Sequence, residues 1–341
     1  MAKQLWAGIC LLLSSTFTQA QPANYDTLVK HILPKVIEWR RDFHKNPELS
    51  MREYKTQEKV YKYMKSLGLE TRKLAKTGVV AILRTNNPGP VIALRADMDA
   101  LPVEEKNNLP FKSTVTAKYN GAAVSVMHAC GHDAHTAMLM GTAQVLSKLK
   151  NELTGTVVFL FQPAEEGPPE GEEGGARLMI KEGCLENPKP DAVFGLHIEA
   201  FGDLGKIYYK PGPFMASADL FTIKVKGKSS HGATPWQGID PIVVSAEIIQ
   251  ALQTIVSRQV NIIEAPVVIT VGKIQSGLRF NIVPEEATME GTIRTFDPKM
   301  RQDVIDKMKL TAQSIAAASG ATAEVVVENK AQVTYNNPQL V

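Results

Sequence analysis

Cysteine is scarce in this sequence. The chain of 341 residues contains only three, Cys10, Cys130 and Cys184. A network of disulfides is therefore excluded, and at most one disulfide, between Cys130 and Cys184, stays open for an oxidising compartment. The stability of the fold must come from a hydrophobic core instead.

An excess of charge of one sign is also missing. The chain has 38 basic and 35 acidic residues, which gives a net charge of +3, and it contains no long basic run. This balance gives no electrostatic reason to expect a nucleic acid as a partner. A hydrophobic share of 44% and a charged share of 21% are typical of a soluble globular protein, and the length predicts two domains.

Long hydrophobic runs are absent as well, and the strongest one is short. Residues 1–20 carry a single charge at Lys3, an apolar stretch at Leu5–Leu13 and the small residue Ala20 before Gln21. This pattern predicts a secretory signal peptide over residues 1–20, because the run is too short to span a bilayer. We expect a secreted or periplasmic protein with no membrane contact after cleavage, and an uncleaved anchor is the alternative.

The order of β-rich and helix-like segments indicates an α/β fold in residues 21–212. Four apolar runs predict strands: Val79–Arg84, Val91–Arg95, Thr156–Phe161 and Asp191–Leu196. Helix-like segments alternate with these strands. Such alternation favours a mostly parallel sheet, in which functional sites lie just past the carboxyl ends of strands.

A second pattern begins at residue 213 and continues to residue 330. Its predicted elements follow the order β-α-β-β-α-β, which is ferredoxin-like: Leu220–Lys226, Asp240–Arg258, Val267–Ile274, Glu286–Phe296, Pro298–Ala318 and Ala323–Glu328. We therefore expect a compact α+β domain that is inserted into the first domain or appended to it.

The segment His128–His135 holds three of the seven histidines together with Cys130 and Asp133. Thiolate, imidazole and carboxylate groups are ligands that borderline cations such as Zn²⁺ or Mn²⁺ accept. Gly131 allows the backbone to turn between Cys130 and His132, and a helix-like run follows. A structural cysteine beside surface histidines is the alternative interpretation. We expect Cys130 to bind metal as a thiolate and Cys184 to be a buried neutral thiol.

Other polar groups follow predicted strands. Glu165 and Glu166 come after Thr156–Phe161, and His197 follows Asp191–Leu196. Asp97 and Asp99 close the strand Val91–Arg95, where they could bind metal or orient its ligands. The alternatives are solvated glutamates, a structural histidine and an ion-pair network around Arg95.

Two weaker candidates lie in the second domain. His231, among small residues, could donate a hydrogen bond to a developing oxyanion, or it is an ordinary turn histidine. The guanidinium of Arg279 and the side-chain amide of Asn281 could bind a carboxylate. The alternative is that Arg279 is an ordinary surface arginine.

Six motifs in this order resemble the M20 metallopeptidase family, and specifically its amidohydrolase branch. They are Arg95–Pro102 (RADMDALP), Met127–His135 (MHACGHDAH), Phe161–Gly167 (FQPAEEG), Gly195–His197 (GLH), Ser230–Ala233 (SHGA) and Phe280–Pro284 (FNIVP). That branch includes hydrolases of N-acyl amino acids, hippurate and indole-acetyl amino acids. The resemblance implies a zinc-peptidase-like catalytic domain with two divalent metal ions and a ferredoxin-like lid that often forms a homodimer.

The resemblance also implies roles for individual residues. Cys130, His132, Glu166 and His197 are similar to the family's metal ligands, Glu165 to its general base and Asp99 to its supporting carboxylate. His231 is similar to the lid histidine that reaches the substrate oxyanion, in the partner subunit's site. Asn281 and Arg279 are candidates for binding the substrate carboxylate.

Two features depart from the family pattern. Asp97 stands where many other branches have histidine, which makes the ligand set the cysteine-containing variant. Family members return to the catalytic domain after the lid and supply a last metal-binding histidine, whereas no histidine follows His231 here. We expect residues 331–341 to start this return. Either the chain is a fragment, or a group other than a histidine completes the metal site.

These features predict a metal-dependent amidohydrolase that cleaves N-acyl amino acids, with Glu165 as general base. Zinc suits the cysteine, and manganese or cobalt would suit the oxygen ligands. An M20-type carboxypeptidase or dipeptidase is one alternative. A truncated, non-catalytic, secreted metal-binding protein is the other.

Overall fold

The computed structural model describes residues 25–341, so the predicted signal peptide lies outside the described residues. The chain divides into two compact units, the first extending to Phe201 and the second comprising Gly202–Val341. No helix within residues 25–341 is long and apolar enough to cross a membrane. The limits proposed for the signal peptide, catalytic domain and lid stay predictions.

The first unit combines helices with a central sheet. Its helices are α1 (Tyr25–Lys45), α2 (Tyr54–Ser66), α3 (His132–Lys148) and α4 (Gly175–Lys181). Its strands are β1 (Glu70–Leu74), β2 (Gly78–Arg84), β3 (Val91–Asp97), β4 (Thr116–Tyr119), β5 (Ala122–Ser125), β6 (Thr156–Gln162) and β7 (Ala192–Gly195).

Five of these strands form one sheet in the order β1-β2-β6-β3-β7. Strand β3 runs parallel to β6 and β7, whereas β2 is antiparallel to β1 and β6. The α/β class is confirmed, but the sheet is mixed, which corrects the expectation of a mostly parallel one. Only three residues separate β1 from β2, and a parallel pair would need a connection of about a dozen.

Apolar side chains cover both faces of this sheet. In β6, Phe159 and Phe161 belong to a core formed with α1, α2 and α3, while Val158 and Leu160 belong to a second core with α4. This division follows from the two-residue period of a strand, in which successive side chains point to opposite faces. The strand is buried on both sides, which explains why its sequence is an uninterrupted apolar run.

The second unit has a ferredoxin-like arrangement, as the sequence predicts. Its elements are β8 (Gly212–Met215), β9 (Ala218–Lys226), β10 (Ser230–His231), α5 (Pro241–Thr254), β11 (Val267–Ser276), β12 (Ile282–Val283), β13 (Glu286–Thr295), α6 (Pro298–Ala318), β14 (Thr322–Ala331) and β15 (Thr334–Asn336). The sheet has the order β11-β13-β9-β14, and all of its neighbouring strands are antiparallel. Buried side chains from both helices pack against it.

The two helices of this unit begin in the same way. The carboxylate of Asp240 accepts a hydrogen bond from the Ile242 N–H, and that of Asp297 accepts one from the Met300 N–H. A proline follows each aspartate at the first helical position, where no backbone N–H is needed. Both starts are therefore encoded locally by an Asp-Pro pair.

Candidate metal centre

The predicted ligands of the first unit meet at one edge of its sheet. Strands β3, β6 and β7 are parallel, so their carboxyl ends, at Asp97, Gln162 and Gly195, lie side by side. The segments that follow carry Asp99, Glu165, Glu166 and His197, and the first residue of α3, His132, joins them. The parallel part of the sheet is therefore the part that assembles the cluster.

A tight turn brings Cys130 and His132 to the same point. Gly131 has a φ of +84°, and a Cβ added there would lie 2.2 Å from Cγ2 of Ile198. Both the left-handed backbone and the close approach require glycine. The turn leaves the Sγ of Cys130 3.4 Å from Nε2 of His197. At this separation both atoms could bind the same ion.

His132 is oriented by Asp99. Its Nδ1–H donates to the backbone oxygen of Asp99 at 2.9 Å and lies 3.3 Å from the carboxylate. Its Nε2 is buried and has no hydrogen-bond partner in the described part of the chain. That nitrogen lies 3.6 Å from the Asp97 carboxylate, 3.7 Å from that of Glu165 and 4.0 Å from that of Glu166.

The same Asp99 carboxylate holds the segment with the two glutamates. It accepts hydrogen bonds from the backbone N–H groups of Glu165 and Glu166, both at 3.0 Å, and from the Ser50 hydroxyl at 2.7 Å. Asp99 is 1% exposed, so these contacts replace the water that a carboxylate needs. A single buried side chain thus fixes His132 relative to Glu165 and Glu166.

His135 is a residue whose role the sequence did not indicate. Its Nδ1–H donates to Asp97 at 2.6 Å, and its Nε2 accepts the N–H of Ile198 at 2.9 Å. Arg95 donates to the other oxygen of Asp97, also at 2.6 Å. His135 therefore ties the end of β3 to the segment that carries His197. Its spacing of three residues from His132, one helical turn, was the available clue.

The site has a strongly negative environment. Burial alone would lower the pKa of His132, but Asp99 and Asp97 outweigh it and raise the pKa to about 9. Burial and the neighbouring Glu166 raise the pKa of the Cys130 thiol to about 12. Burial also raises the pKa of Glu165. Carboxylates crowded around one imidazole favour a positive charge at that point.

The donor set fits divalent metal ions. Among the described residues there are three groups of side chains, and within each group the potential ligand atoms lie within 4.8 Å of one another: Cys130, His132 and His197; Asp97, His132 and His135; and His132, Glu165 and Glu166. His132 belongs to all three, and its buried Nε2 is the atom left without a partner. A divalent cation would supply that partner and would favour the thiolate form of Cys130. Cys130 and Cys184 are both free of disulfides, and Cys184 is buried.

The remaining predicted residues belong to the second unit. His231 lies in β10, where it pairs with Ile282 of β12, next to Asn281. The N–H of Gly232 donates to the Asn281 backbone oxygen at 2.9 Å, and the His231 ring accepts the Ala233 N–H. Arg279 is exposed. The structure thus brings His231 close to Asn281. The roles of all these residues, like those of the ligands and of Glu165, stay predictions.

An α/β unit with thiol, imidazole and carboxylate groups at the carboxyl edge of its sheet defines a candidate metal-dependent hydrolase. The model of the peptidase family M20/M25/M40 matches residues 93–341, and the chain belongs to this family. The resemblance inferred from the six motifs is confirmed, and with it a fold that combines a catalytic and a lid domain.

Relatives of known name agree with this assignment. The chain is 44% identical over 298 residues to an N-acyl-L-amino acid amidohydrolase of Geobacillus stearothermophilus, covering 87% of this chain and 76% of that one. It is 43% identical over 315 residues to thermostable carboxypeptidase 2 of Saccharolobus solfataricus, covering 92% and 77%. The crystal structure of the Bacillus subtilis YXEP protein, described as a dinuclear metal binding peptidase, matches with a TM-score of 0.74 and 40% identity, covering 91% and 77%.

These similarities support a metal-dependent hydrolase that acts on amides.

Proposed function

We propose that this chain hydrolyses the amide bond of N-acyl amino acids, releasing a carboxylic acid and a free amino acid. One observation carries the proposal: the Glu165 carboxylate lies 3.7 Å from the buried, unpartnered Nε2 of His132, the residue that belongs to each candidate ligand group of the described residues. A base is thereby held beside the point where a cation would bind. The name of the Geobacillus relative supports the substrate class.

Four side chains are proposed to hold two divalent ions: Cys130, His132, Glu166 and His197. Zinc suits the thiolate and imidazole ligands, and manganese or cobalt would suit the carboxylate. When bound, such ions lower the pKa of water and stabilise negative charge on an oxygen atom.

The residues of the chain move the protons. Glu165 accepts a proton from the attacking water and delivers it to the leaving nitrogen; burial raises the pKa of Glu165 above its ordinary value, which makes its carboxylate a stronger base. Asp99 fixes the Nδ1–H of His132 and so keeps Nε2 directed at the centre. His231 donates to the substrate oxygen, and Arg279 and Asn281 bind the substrate carboxylate.

Replacing Glu165 tests the proposal. Glu165→Gln keeps the size of the side chain but removes the base, so we expect kcat to fall by roughly 10²- to 10⁴-fold while metal content is unchanged. Glu170→Gln, an exposed glutamate of the same loop, is the matched control and should retain full activity. Steady-state hydrolysis of N-acyl amino acids measures both. If Glu165→Gln turned over substrate at the wild-type rate, Glu165 would not be the base.

A carboxypeptidase or dipeptidase is the second candidate, because one relative at 43% identity is named a carboxypeptidase. Both activities break an amide next to a carboxylate-bearing amino acid, so the same residues would serve. Comparing kcat/KM for N-acyl amino acids and dipeptides that share the C-terminal amino acid separates them. Higher values for the dipeptides would favour the peptidase.

We further propose that the chain acts as a homodimer through its second unit and that it is secreted or periplasmic. The first rests on the family resemblance and the second on the sequence of residues 1–20. N-terminal sequencing of the protein recovered from the producing cells tests export, with Gln21 expected as the first residue. A protein that begins at Met1 and stays in the cytoplasm would contradict it.

A further inference from the structure

Glu53 is a buried carboxylate that the proposed reaction does not use. It immediately precedes α2 and has no exposed surface. An aspartate at this position commonly caps the helix through its side chain, whereas the Glu53 side chain makes no hydrogen bond to the first turn of α2. Its two oxygens have partners elsewhere in the first unit.

Those partners lie on two other segments. One oxygen accepts the backbone N–H of Ala164 at 2.8 Å, and the other accepts the Thr77 hydroxyl at 2.6 Å. Thr77 is itself fully buried, just before β2. Glu53 therefore connects the start of α2 with the residue that directly precedes Glu165.

Three consecutive backbone N–H groups thus point at two buried carboxylates. The Ala164 N–H donates to Glu53, and those of Glu165 and Glu166 donate to Asp99. Ala164 has a φ of +48°, in the left-handed region that residues other than glycine rarely adopt. Such a conformation persists where the surroundings over-determine it, and here both carboxylates do so.

We propose that Glu53 is a positioning residue for the Glu165–Glu166 pair: its hydrogen bond to Ala164 holds the backbone turn from which both glutamates reach the metal centre. The proposal rests on the proposed function of that centre. Without Glu53, the Ala164 N–H would be buried and unpaired, so the turn would relax. Both side chains would then be displaced: Glu166 from its position as a proposed metal ligand, and Glu165 from its position as the proposed base.

The hydrogen bonds of Glu53 do not depend on its charge. Burial raises the pKa of Glu53 to about 7, although the bonds from Thr77 and Ala164 oppose this. The ionised form accepts both bonds. The protonated form accepts from Ala164 and donates to the Thr77 hydroxyl, so the turn is held in either state.

Two methionine variants test the proposal. Glu53→Met keeps the volume and removes the acceptors. Gln57→Met is the matched control, because Gln57 is also buried and lies in the first turn of α2, while its side chain donates to the backbone oxygens of Lys76 and Gly78 and makes no hydrogen bond to residues 164–167 in the described part of the chain. Competition with a chelator measures zinc affinity, and hydrogen exchange of the metal-free protein measures protection of the amides of residues 164–167.

We expect Glu53→Met to weaken zinc binding by about 10- to 100-fold, as the loss of a group that orients a ligand commonly does, and to speed exchange at residues 164–167. Gln57→Met should leave both unchanged. Glu53→Gln should restore them, since its amide oxygen can accept from Ala164. Equal losses in Glu53→Met and Gln57→Met, or wild-type affinity and protection in Glu53→Met, would overturn the proposal.

If Glu53→Met does not fold, Thr77→Val decides. It removes one anchor of the carboxylate, so exchange at residues 164–167 should be faster than in Glu53→Gln, and unchanged exchange would overturn the proposal. These readouts do not require turnover. A wild-type protein that binds zinc but hydrolyses no N-acyl amino acid would refute the proposed function, and affinity and exchange would still decide the role of Glu53.

Discussion

Gly131 is the residue on which the geometry between Cys130 and His132 depends. Its φ of +84° reverses the chain within one residue, and Ile198 fills the space where a Cβ would be. Because Ile198 follows His197 directly, a side chain at position 131 would push on the segment of a third ligand. The left-handed backbone of Gly131 and its close contact with Ile198 therefore both help to position the candidate ligands Cys130, His132 and His197.

Gly131→Ala should lower both stability and metal affinity. A side chain in the left-handed region costs about 1–2 kcal/mol, and the Cβ would also displace Ile198. Gly121→Ala is the control, because Gly121 has a φ of +81° but nothing within 4 Å of an added Cβ. Urea denaturation should show a loss of stability in both variants that is larger in Gly131→Ala, and chelator competition should show a loss of zinc affinity in Gly131→Ala alone. Equal zinc affinities in the two variants would contradict this account.

The sequence predicts the polar groups of the site better than it predicts their connections. Cys130, His132, Glu165, Glu166 and His197 follow recognisable strands or begin a helix, so their meeting at one sheet edge could be anticipated. The bonds from Asp97 to His135 and from Glu53 to Ala164 join residues 38 and 111 positions apart. Long-range contacts of this kind depend on the packed structure, and no local pattern encodes them.

At the level of elements, an ion pair joins strand β9, which lies between β13 and β14, to α6 of the second unit. The guanidinium of Arg301 on α6 donates to both oxygens of Asp219 on β9, at distances of 2.6 to 3.0 Å. Asn329 of β14 donates to the same carboxylate at 2.8 Å. Because Asp219 is 1% exposed, its charge depends on these partners in place of water.

Arg301→Met should destabilise the second unit by about 3 kcal/mol, since it leaves a buried carboxylate without its cation. Hydrogen exchange of β9 and α6 in the full chain measures the change locally. The matched variant is Lys299→Met on the same helix, which has no such partner in the described residues and should have little effect. An equal effect of the two variants would show that the ion pair is unimportant.

The same pair predicts a dependence of stability on pH. Burial alone would raise the pKa of Asp219, but the hydrogen bonds from Arg301 and Asn329 outweigh it and hold the pKa below its ordinary value. The stabilisation is therefore complete above the unfolded pKa of about 3.9 and is lost as the pH falls through the lower, folded value. Asp219→Asn should remove this part of the acid sensitivity.

How well an element could be predicted depended on local caps and burial. Helix α6 was predicted with its observed limits, because Asp297 and Pro298 mark its start and Gly320 follows its end. Strand β1 was missed, since only two of its five side chains are buried and it lies at the sheet edge. The hairpin of β4 and β5 was also missed, although Asn120 and Gly121 form a typical turn pair.

At the scale of the whole molecule, the candidate functional residues are divided between two units. The proposed ligands and Glu165 belong to the first unit, whereas His231, Arg279 and Asn281 belong to the second. A proposed homodimer offers a way to combine them, in which each site takes its His231 from the partner subunit.

Mixing two inactive variants tests this sharing. Neither Glu165→Gln nor His231→Ala should be active alone, but a mixed dimer would contain one site with both residues intact. After subunit exchange of an equal mixture, we expect about a quarter of wild-type activity. Native mass spectrometry confirms that mixed dimers have formed. Their presence without any recovery of activity would argue that each site uses its own His231.

The most direct test of the central claim is the amount of metal bound per chain. We would measure zinc and manganese by elemental analysis of the purified protein after incubation with each ion and removal of excess. The account predicts about two ions per chain in the wild type and a marked loss in His132→Ala, because His132 belongs to each of the three candidate ligand groups within residues 25–341. Wild-type protein that retains no more metal than His132→Ala would contradict the account.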